Sequence, residues 1–280
     1  MAQDVTSLPK QFDSDAALDN QVVRLMHHSG LRAFDADTNT DRPASPGAMP
    51  GQEPLKGGAP QAAHRCQQLD VVAYAQRRNH LTGSVSQLSA YIRHGLVSES
   101  AVADRAKSSH PEQASRFLQQ LAWRSFFLYR QIAYPQTLWQ DVGPYKTGWQ
   151  PQDYAQTLPE DIRQGATGVL MIDQMIQRLL TTGYLHNRER LYLAAYVVHW
   201  RRVAWQAGAR WFLIHLLDGE VASNNFSWQW VASTSSQKPY IFNLDNVRQF
   251  HDGLFEVDHP SHAIFAGSYD TLALTLFPHQ

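Results

Sequence analysis

The densest concentration of chemistry in this 280-residue sequence runs from Asp218 to Trp230. Two carboxylates (Asp218, Glu220), two adjacent amides (Asn224, Asn225) and two indoles (Trp228, Trp230) fall within thirteen positions. A core helix has no use for so many polar side chains, and a surface loop has no use for two indoles. The mixture suits a wall facing a flat, polar, aromatic ligand. A second group, Gln120, Trp123 and Arg124, is spaced i, i+3, i+4 and so shares one helix face. There an indole could stack on an extruded base and a guanidinium could hold a phosphate. The run Ser86-Gln87-Leu88-Ser89-Ala90-Tyr91 sets serine hydroxyls and backbone N–H groups at a helix start, a place suited to phosphate.

The elements that must position these groups read as helices. Leu69, Val72, Ala73 and Gln76 continue one face, and Ser98 with Glu99 is a helix start. Phe117, Leu121, Phe127, Leu128 and Ile132 predict a long helix stopped by Pro135. Leu170 to Leu180 is strongly periodic, with Gly183 as its stop. Residues 187–206 and 209–217 read as two further buried helices. Few stretches alternate with period two, so the expected fold class is all-α. Residues 11–30 hold a short helical pattern, and the Pro/Gly-rich run over 35–60 reads as a loop. The predicted division is an extension over 1–62 and a helical domain over 63–280.

Composition excludes several function classes. There are 24 basic and 25 acidic residues, so no global positive charge draws the chain to nucleic acid. Cys66 is the single cysteine, which rules out an intrachain disulfide and a four-cysteine cluster built within this sequence. No nucleotide-binding G-x-G-x-x-G follows a strand, and no H-E-x-x-H zinc motif occurs. No secretory signal and no apolar run of membrane-spanning length is present, so a cytoplasmic location is expected. A dinucleotide would have to be held by helices.

Four segments in order resemble the photolyase/cryptochrome family. Ser86 to Tyr91 is similar to its T-S-R-L-S-x-Y phosphate loop, with Gln87 where the family usually has Arg. Gln120 to Phe126 resembles its E-L-x-W-R-E-F helix, with Gln in place of Glu. Thr182 to Arg190 resembles T-G-W-M-H-N-R-x-R, and Asp218 to Trp230 resembles the flavin-contacting segment. The resemblance implies a helical FAD-binding domain. It implies FAD contacts by Tyr74, Ser86, Gln87, Leu88, Ser89, Arg190, Asp218, Gly219 and Glu220, with Arg190 paired to Asp218 and Asn224 opposite flavin N5. It also implies an electron-transfer chain Trp228, Trp205 and Trp149, and a damaged-DNA surface of Gln120, Trp123, Arg124, Asn187, Arg188, Leu191 and Trp230.

The function so implied is light-driven repair of UV-induced pyrimidine dimers, by electron transfer from reduced FAD, in a monomer acting on single-stranded or duplex DNA. The family's strand-and-helix antenna domain has no counterpart in the polar, Pro/Gly-rich residues ahead of Ser86, so neither an antenna chromophore nor an iron–sulfur cluster is expected, and no metal. The alternative is a cryptochrome-like blue-light photoreceptor or redox flavoprotein that performs no repair. A third reading, a helical protein that has lost its flavin, rests on Gln87 alone. Plainer roles stay open for single residues: His186 as a structural histidine, Asn224-Asn225 as a helix cap, and the tryptophans as core.

Overall fold

The computed structural model describes residues 55–279; the pattern over residues 11–30 and most of the Pro/Gly-rich run lie outside them. Among the described residues the only β pairing is an isolated bridge between Ala155 and Val203, so the fold is all-α. In chain order the helices are α1 (Ala59–Gln67), α2 (Val71–Arg77), α3 (Ser89–Arg93), α4 (Glu99–Ser109), α5 (Ser115–Ala133) and α6 (Glu160–Gln164). They continue with α7 (Leu170–Thr182), α8 (Asn187–Ala195), α9 (Trp205–His215), α10 (Val221–Ala232), α11 (Leu244–Phe250) and α12 (Tyr269–Leu276).

Local chemistry fixes most boundaries. Helix α1 begins at Ala59, inside the run read as loop and ahead of the boundary at 63, because Pro60 sits in its first turn, where a missing N–H costs nothing. Asp70 starts α2 by accepting from the N–H groups of Val72 and Ala73 at 3.0 and 2.9 Å. Ser98 caps α4 through Ala101 N–H at 3.1 Å, as expected. Helix α5 stops ahead of Pro135, and Gly183 ends α7 in the left-handed conformation at φ 66°.

One expected helix is divided. Residues 187–206 are not continuous: α8 ends at Ala195, a single π turn covers Tyr196–Trp200, and α9 starts at Trp205. The Arg201 N–H donates to Tyr196 O at 3.0 Å, and Arg202 adopts a positive φ of 45°. Tyr196, Val197, Val198 and His199 are all buried, so the apolar pattern runs on through the break and hides it.

The main core joins Met171, Ile172, Met175 and Leu179 of α7 to Tyr192, Trp205, Phe212 and Trp228. A smaller core holds Ala62, Val71, Leu88, Tyr91, Val102 and Phe117. The loop between α9 and α10 bridges the two. Arg93 Nε donates to Gly219 O at 2.9 Å, and the His94 ring contacts Leu217 O at 2.9 Å.

Candidate functional site

That loop carries the centre of the site. Asp218 has a side chain only 5% exposed and accepts from Arg190 Nη2 of α8 at 2.9 Å. Arg190 Nε also donates to Leu185 O at 2.9 Å, which fixes the guanidinium. Burial opposes charge on Asp218, but the Arg190 guanidinium outweighs it and holds the carboxyl below the usual range, with the Ser89 hydroxyl alongside. Asp218 Oδ1 is nonetheless buried without a hydrogen-bond partner of normal geometry. A buried ionised oxygen of this kind is costly unless a donor meets it.

Six residues further on, Asn224 Nδ2 donates to Ala209 O and to Asn225 Oδ1, both at 3.0 Å. Ala209 O can only accept, so the nitrogen assignment follows, and Asn224 Oδ1 is left as an acceptor. The cap of α10, held open above as a plainer role for Asn224-Asn225, comes from Glu220. Both Glu220 carboxylate oxygens are engaged there, with the N–H groups of Ala222 and Ser223 at 2.9 Å. Asn225 instead ties α10 to the turn at Pro135–Leu138 that follows α5, donating to Leu138 O at 2.7 Å.

The structure brings the motif segments together around this loop. Segment 86–94 reaches it through Arg93 and His94, and α8 through Arg190. Helix α5 lies on α10, where Phe127 stacks on Phe226 at 5.7 Å between ring centroids and Arg130 sits over the same ring. Tyr74 packs edge-on against Phe117, and burial pushes its hydroxyl up. Leu88 is a core residue, and Ser86 Oγ accepts from Leu88 N–H at 3.3 Å. Gln87 is buried at φ 51° and accepts from Arg65 Nη1 at 2.6 Å. Arg65 and Glu189 are the residues that sequence reasoning passed over. Glu189 is fully buried, ion-paired with Arg178, and accepts from His186 N–H at 3.0 Å. The acid within N-R-x-R at the head of α8 was the available signal. His186 itself caps α8, accepting from Arg188 N–H at 3.1 Å, and burial pushes its imidazole down to about 4.

The residues read as a DNA surface are more dispersed. Trp123 is 50% exposed and Trp230 45%, and Asn187 is also exposed. Gln120 is half-buried, and Leu191 packs against the main core. Arg124 is committed to Glu99 of α4 at 2.9 Å. Arg188 is committed to Asn79 O at 2.7 Å and lies over the Phe250 ring.

Of the three tryptophans read as an electron-transfer chain, Trp228 and Trp205 are buried. Trp228 meets Phe212 edge-on at 4.9 Å and the backbone of Gly208, and its Nε1 has no partner. Trp205 Nε1 donates to Asp141 Oδ1 at 2.6 Å. The indole stacked on Trp205 is Trp139, with centroids 6.4 Å apart and planes 6° from parallel. Trp149 instead packs against His279 and under Arg202.

Residues 117–254, which run from within α5 past α11 and include the Asp218 loop, match the family described as the FAD binding domain of DNA photolyase. These residues belong to the photolyase/cryptochrome family. The deoxyribodipyrimidine photo-lyase of Streptomyces griseus is 33% identical over 164 residues, 58% of this chain and 35% of that one. That of Synechococcus is 30% identical over 209 residues, 69% of this chain and 43% of its own. The chain thus spans well under half the length of these relatives. Among solved structures, a class III photolyase from Agrobacterium tumefaciens superposes with a TM-score of 0.61 at 24% identity, covering 78% of this chain and 49% of that one. A Synechocystis cryptochrome superposes with a TM-score of 0.62 at 24% identity, covering 70% of this chain and 44% of its own. These two likenesses concern the photolyase/cryptochrome fold alone. Among the described residues, no helix is long and apolar enough to cross a membrane, and no three His, Cys, Asp or Glu gather as metal ligands.

Proposed function

We propose that the chain binds FAD at the Asp218 loop and uses it for light-driven splitting of pyrimidine dimers in DNA. The observation that carries the reading is the buried, unpartnered Asp218 Oδ1, held charged by Arg190 and accompanied by the open acceptor of Asn224. A buried carboxylate oxygen with only the Ser89 hydroxyl near it, beside an amide oxygen left as an acceptor, suits a ligand with N–H donors. An isoalloxazine ring has one at N3 and, when reduced, a second at N5, so the donor set fits the group. When bound, the flavin supplies light absorption and an electron for the dimer.

The chain's own residues do the rest. Arg190 keeps Asp218 ionised, so that an anionic acceptor awaits the ring. Asn224 offers its oxygen without adding negative charge beside an electron-rich ring. The Ser86 to Ser89 loop and Tyr74 are assigned to the rest of the dinucleotide. Trp123, Trp230, Asn187, Gln120 and Leu191 form the candidate surface for an extruded base pair, where exposed indoles provide stacking. Trp228 and Trp205 would carry electrons inward to the flavin. Asp141 beside Trp205 favours the positive charge an oxidised indole acquires.

The test is direct. Purified protein reconstituted with FAD is reduced, mixed with dimer-containing oligonucleotides, single-stranded and duplex, and illuminated. Loss of dimers only in the light is expected. Retained FAD with no dimer loss in either substrate refutes repair and leaves the photoreceptor reading. That second reading draws on Arg124, which is already paired with Glu99, and on Gln120, which cannot ionise. Protein that stays colourless with FAD refutes both.

A further inference from the structure

Helix α5 is packed along one side and bare along the other. Phe117 enters the smaller core and Phe127 stacks on Phe226, so that side is occupied. The opposite side carries Ala122, Phe126, Tyr129 and Ala133, all exposed, at intervals of four, three and four. That is the 3.5-residue repeat of a seam that packs against another helix. Trp123 and Ile132 flank it and are exposed too, Ile132 at 69% and Tyr129 of the seam at 62%. Large apolar side chains exposed together in this way mark an interaction surface. The two cations of this stretch are drawn away from it, Arg124 to Glu99 and Arg130 over the Phe226 ring. No other charged residue lies between Ala122 and Tyr134, so the face is about 17 Å of uncharged, largely apolar helix.

The order of these residues reads alike in both directions: small, large apolar, aromatic, aromatic, large apolar, small. A two-fold interface requires such self-complementarity, because one patch must meet itself. We propose that α5 pairs antiparallel with α5 of a second copy of this chain, about a two-fold axis level with the Phe127–Leu128 peptide. In that register Phe126 of one copy meets Tyr129 of the other, Trp123 meets Ile132, and Ala122 meets Ala133. The alanine pairs at both ends let the backbones approach, and the aromatic pairs fill the middle. With no charge on the seam, none is repelled or stranded when the copies meet. An aromatic side chain can bury about 150–250 Å². The exposed fractions then amount to roughly 500 Å² per copy and about 1,000 Å² for the pair. That reaches the lower limit for a specific interface and corresponds to a reversible dimer of about micromolar affinity. The pairing replaces the monomer that the family resemblance implied. Trp123 also belongs to the proposed DNA surface, so a second copy and an extruded base compete for it. That competition, unlike the pairing, rests on the repair reading.

Sedimentation of the full chain, with and without a single-stranded oligonucleotide, tests both. Above micromolar concentration, wild type should sediment at twice the mass of one chain. Phe126→Glu and Tyr129→Lys should each sediment as monomers, with the circular dichroism of wild type showing that they fold. Mixing the two variants should restore the dimer. Antiparallel pairing sets the introduced carboxylate against the introduced ammonium on one side and leaves a native Phe126–Tyr129 pair on the other. A parallel pairing would set each position against its own counterpart and gain nothing from mixing. Wild type that stays monomeric, variants that still dimerise, or a mixture that stays monomeric overturns the pairing. Monomeric wild type whose oligonucleotide binding is lost in both variants overturns it in favour of a nucleic-acid surface. Excess oligonucleotide should convert the wild-type dimer to DNA-bound monomer. DNA bound to an intact dimer, or no DNA bound at all, overturns the competition and leaves the pairing standing.

Discussion

Asp218 and Arg190 set the charge of the site, and each needs the other. Removing one member of a buried ion pair leaves the other uncompensated, at a cost of about 3–5 kcal/mol. Arg190 retains 24% exposure, which puts Asp218→Asn near the lower end of that range. Urea unfolding of the flavin-free protein should show that loss, and FAD binding should weaken with it; an unchanged midpoint would refute the pairing. Acid sensitivity follows from the same logic at three residues. Asp218 lies below its ordinary range when folded, so its contribution is complete above about pH 4 and is lost as pH falls further. His186 and His199 are pushed by burial down to about 4, below the ~6.5 of an unfolded imidazole. Their unfolded forms take up protons first, so stability declines as pH drops from about 6.5 to about 4, by on the order of 3 kcal/mol for each histidine. His186→Asn keeps a capping oxygen, and His199→Gln keeps a donor for Val231 O. Together they should flatten the fall of melting temperature across that window. A slope as steep as wild type would show that other groups govern it.

Single elements show where the sequence was readable and where it was not. Ser98, Gly183 and Pro135 act locally, through one cap, one left-handed residue and one missing N–H, so the ends of α4, α7 and α5 were legible. The π turn at Tyr196–Trp200 was not, because every one of its first four residues is buried and the extra residue per turn leaves no mark on hydrophobic spacing. The Arg190–Asp218 pair was legible because a family motif places both residues. The pair of Arg124 with Glu99 joins two helices, and that of Arg65 with Gln87 joins a helix to a loop, which no local pattern connects. Gly208 in α9 is a further case of a purely tertiary demand. A Cβ there would fall 2.3 Å from Cη2 of Trp228, inside any tolerable contact. Gly208→Ala should cost about 1–3 kcal/mol through overpacking, despite its better helix propensity. It should also displace the indole, which a shifted and broadened near-ultraviolet circular dichroism band of the tryptophans would report. A stabilised variant with an unaltered band would mean that α9 and α10 separate easily.

Across the whole molecule, the buried indoles must connect the Asp218 loop, proposed to hold the flavin, to solvent if electrons are to be supplied from outside. Trp228 lies on α10 one turn after Asn224, and Trp205 opens α9 with Asp141 accepting from its ring nitrogen. The next step outward was expected at Trp149, read across a loop whose register the sequence leaves loose. The stacked geometry favours Trp139 instead: parallel rings at 6.4 Å give π-overlap with Trp205, and Trp139 is itself half-buried. Cations weigh on both candidates, Arg210 over Trp139 at 4.8 Å and Arg202 over Trp149 at 4.4 Å, so charge does not decide between them. Contact does. In FAD-loaded protein illuminated with an external reductant, Trp139→Phe should slow flavin photoreduction severalfold, and Trp149→Phe should leave it near wild type. Asp141→Asn should also slow it, because a carboxylate stabilises an oxidised Trp205 and an amide does so less. Fast photoreduction in Trp139→Phe with slow photoreduction in Trp149→Phe would restore the loop tryptophan to the chain. It would also mean that stacking on Trp205 serves packing alone, with the outward electron path running through the 139–150 loop to the residues that cover Trp149, His279 and Arg202.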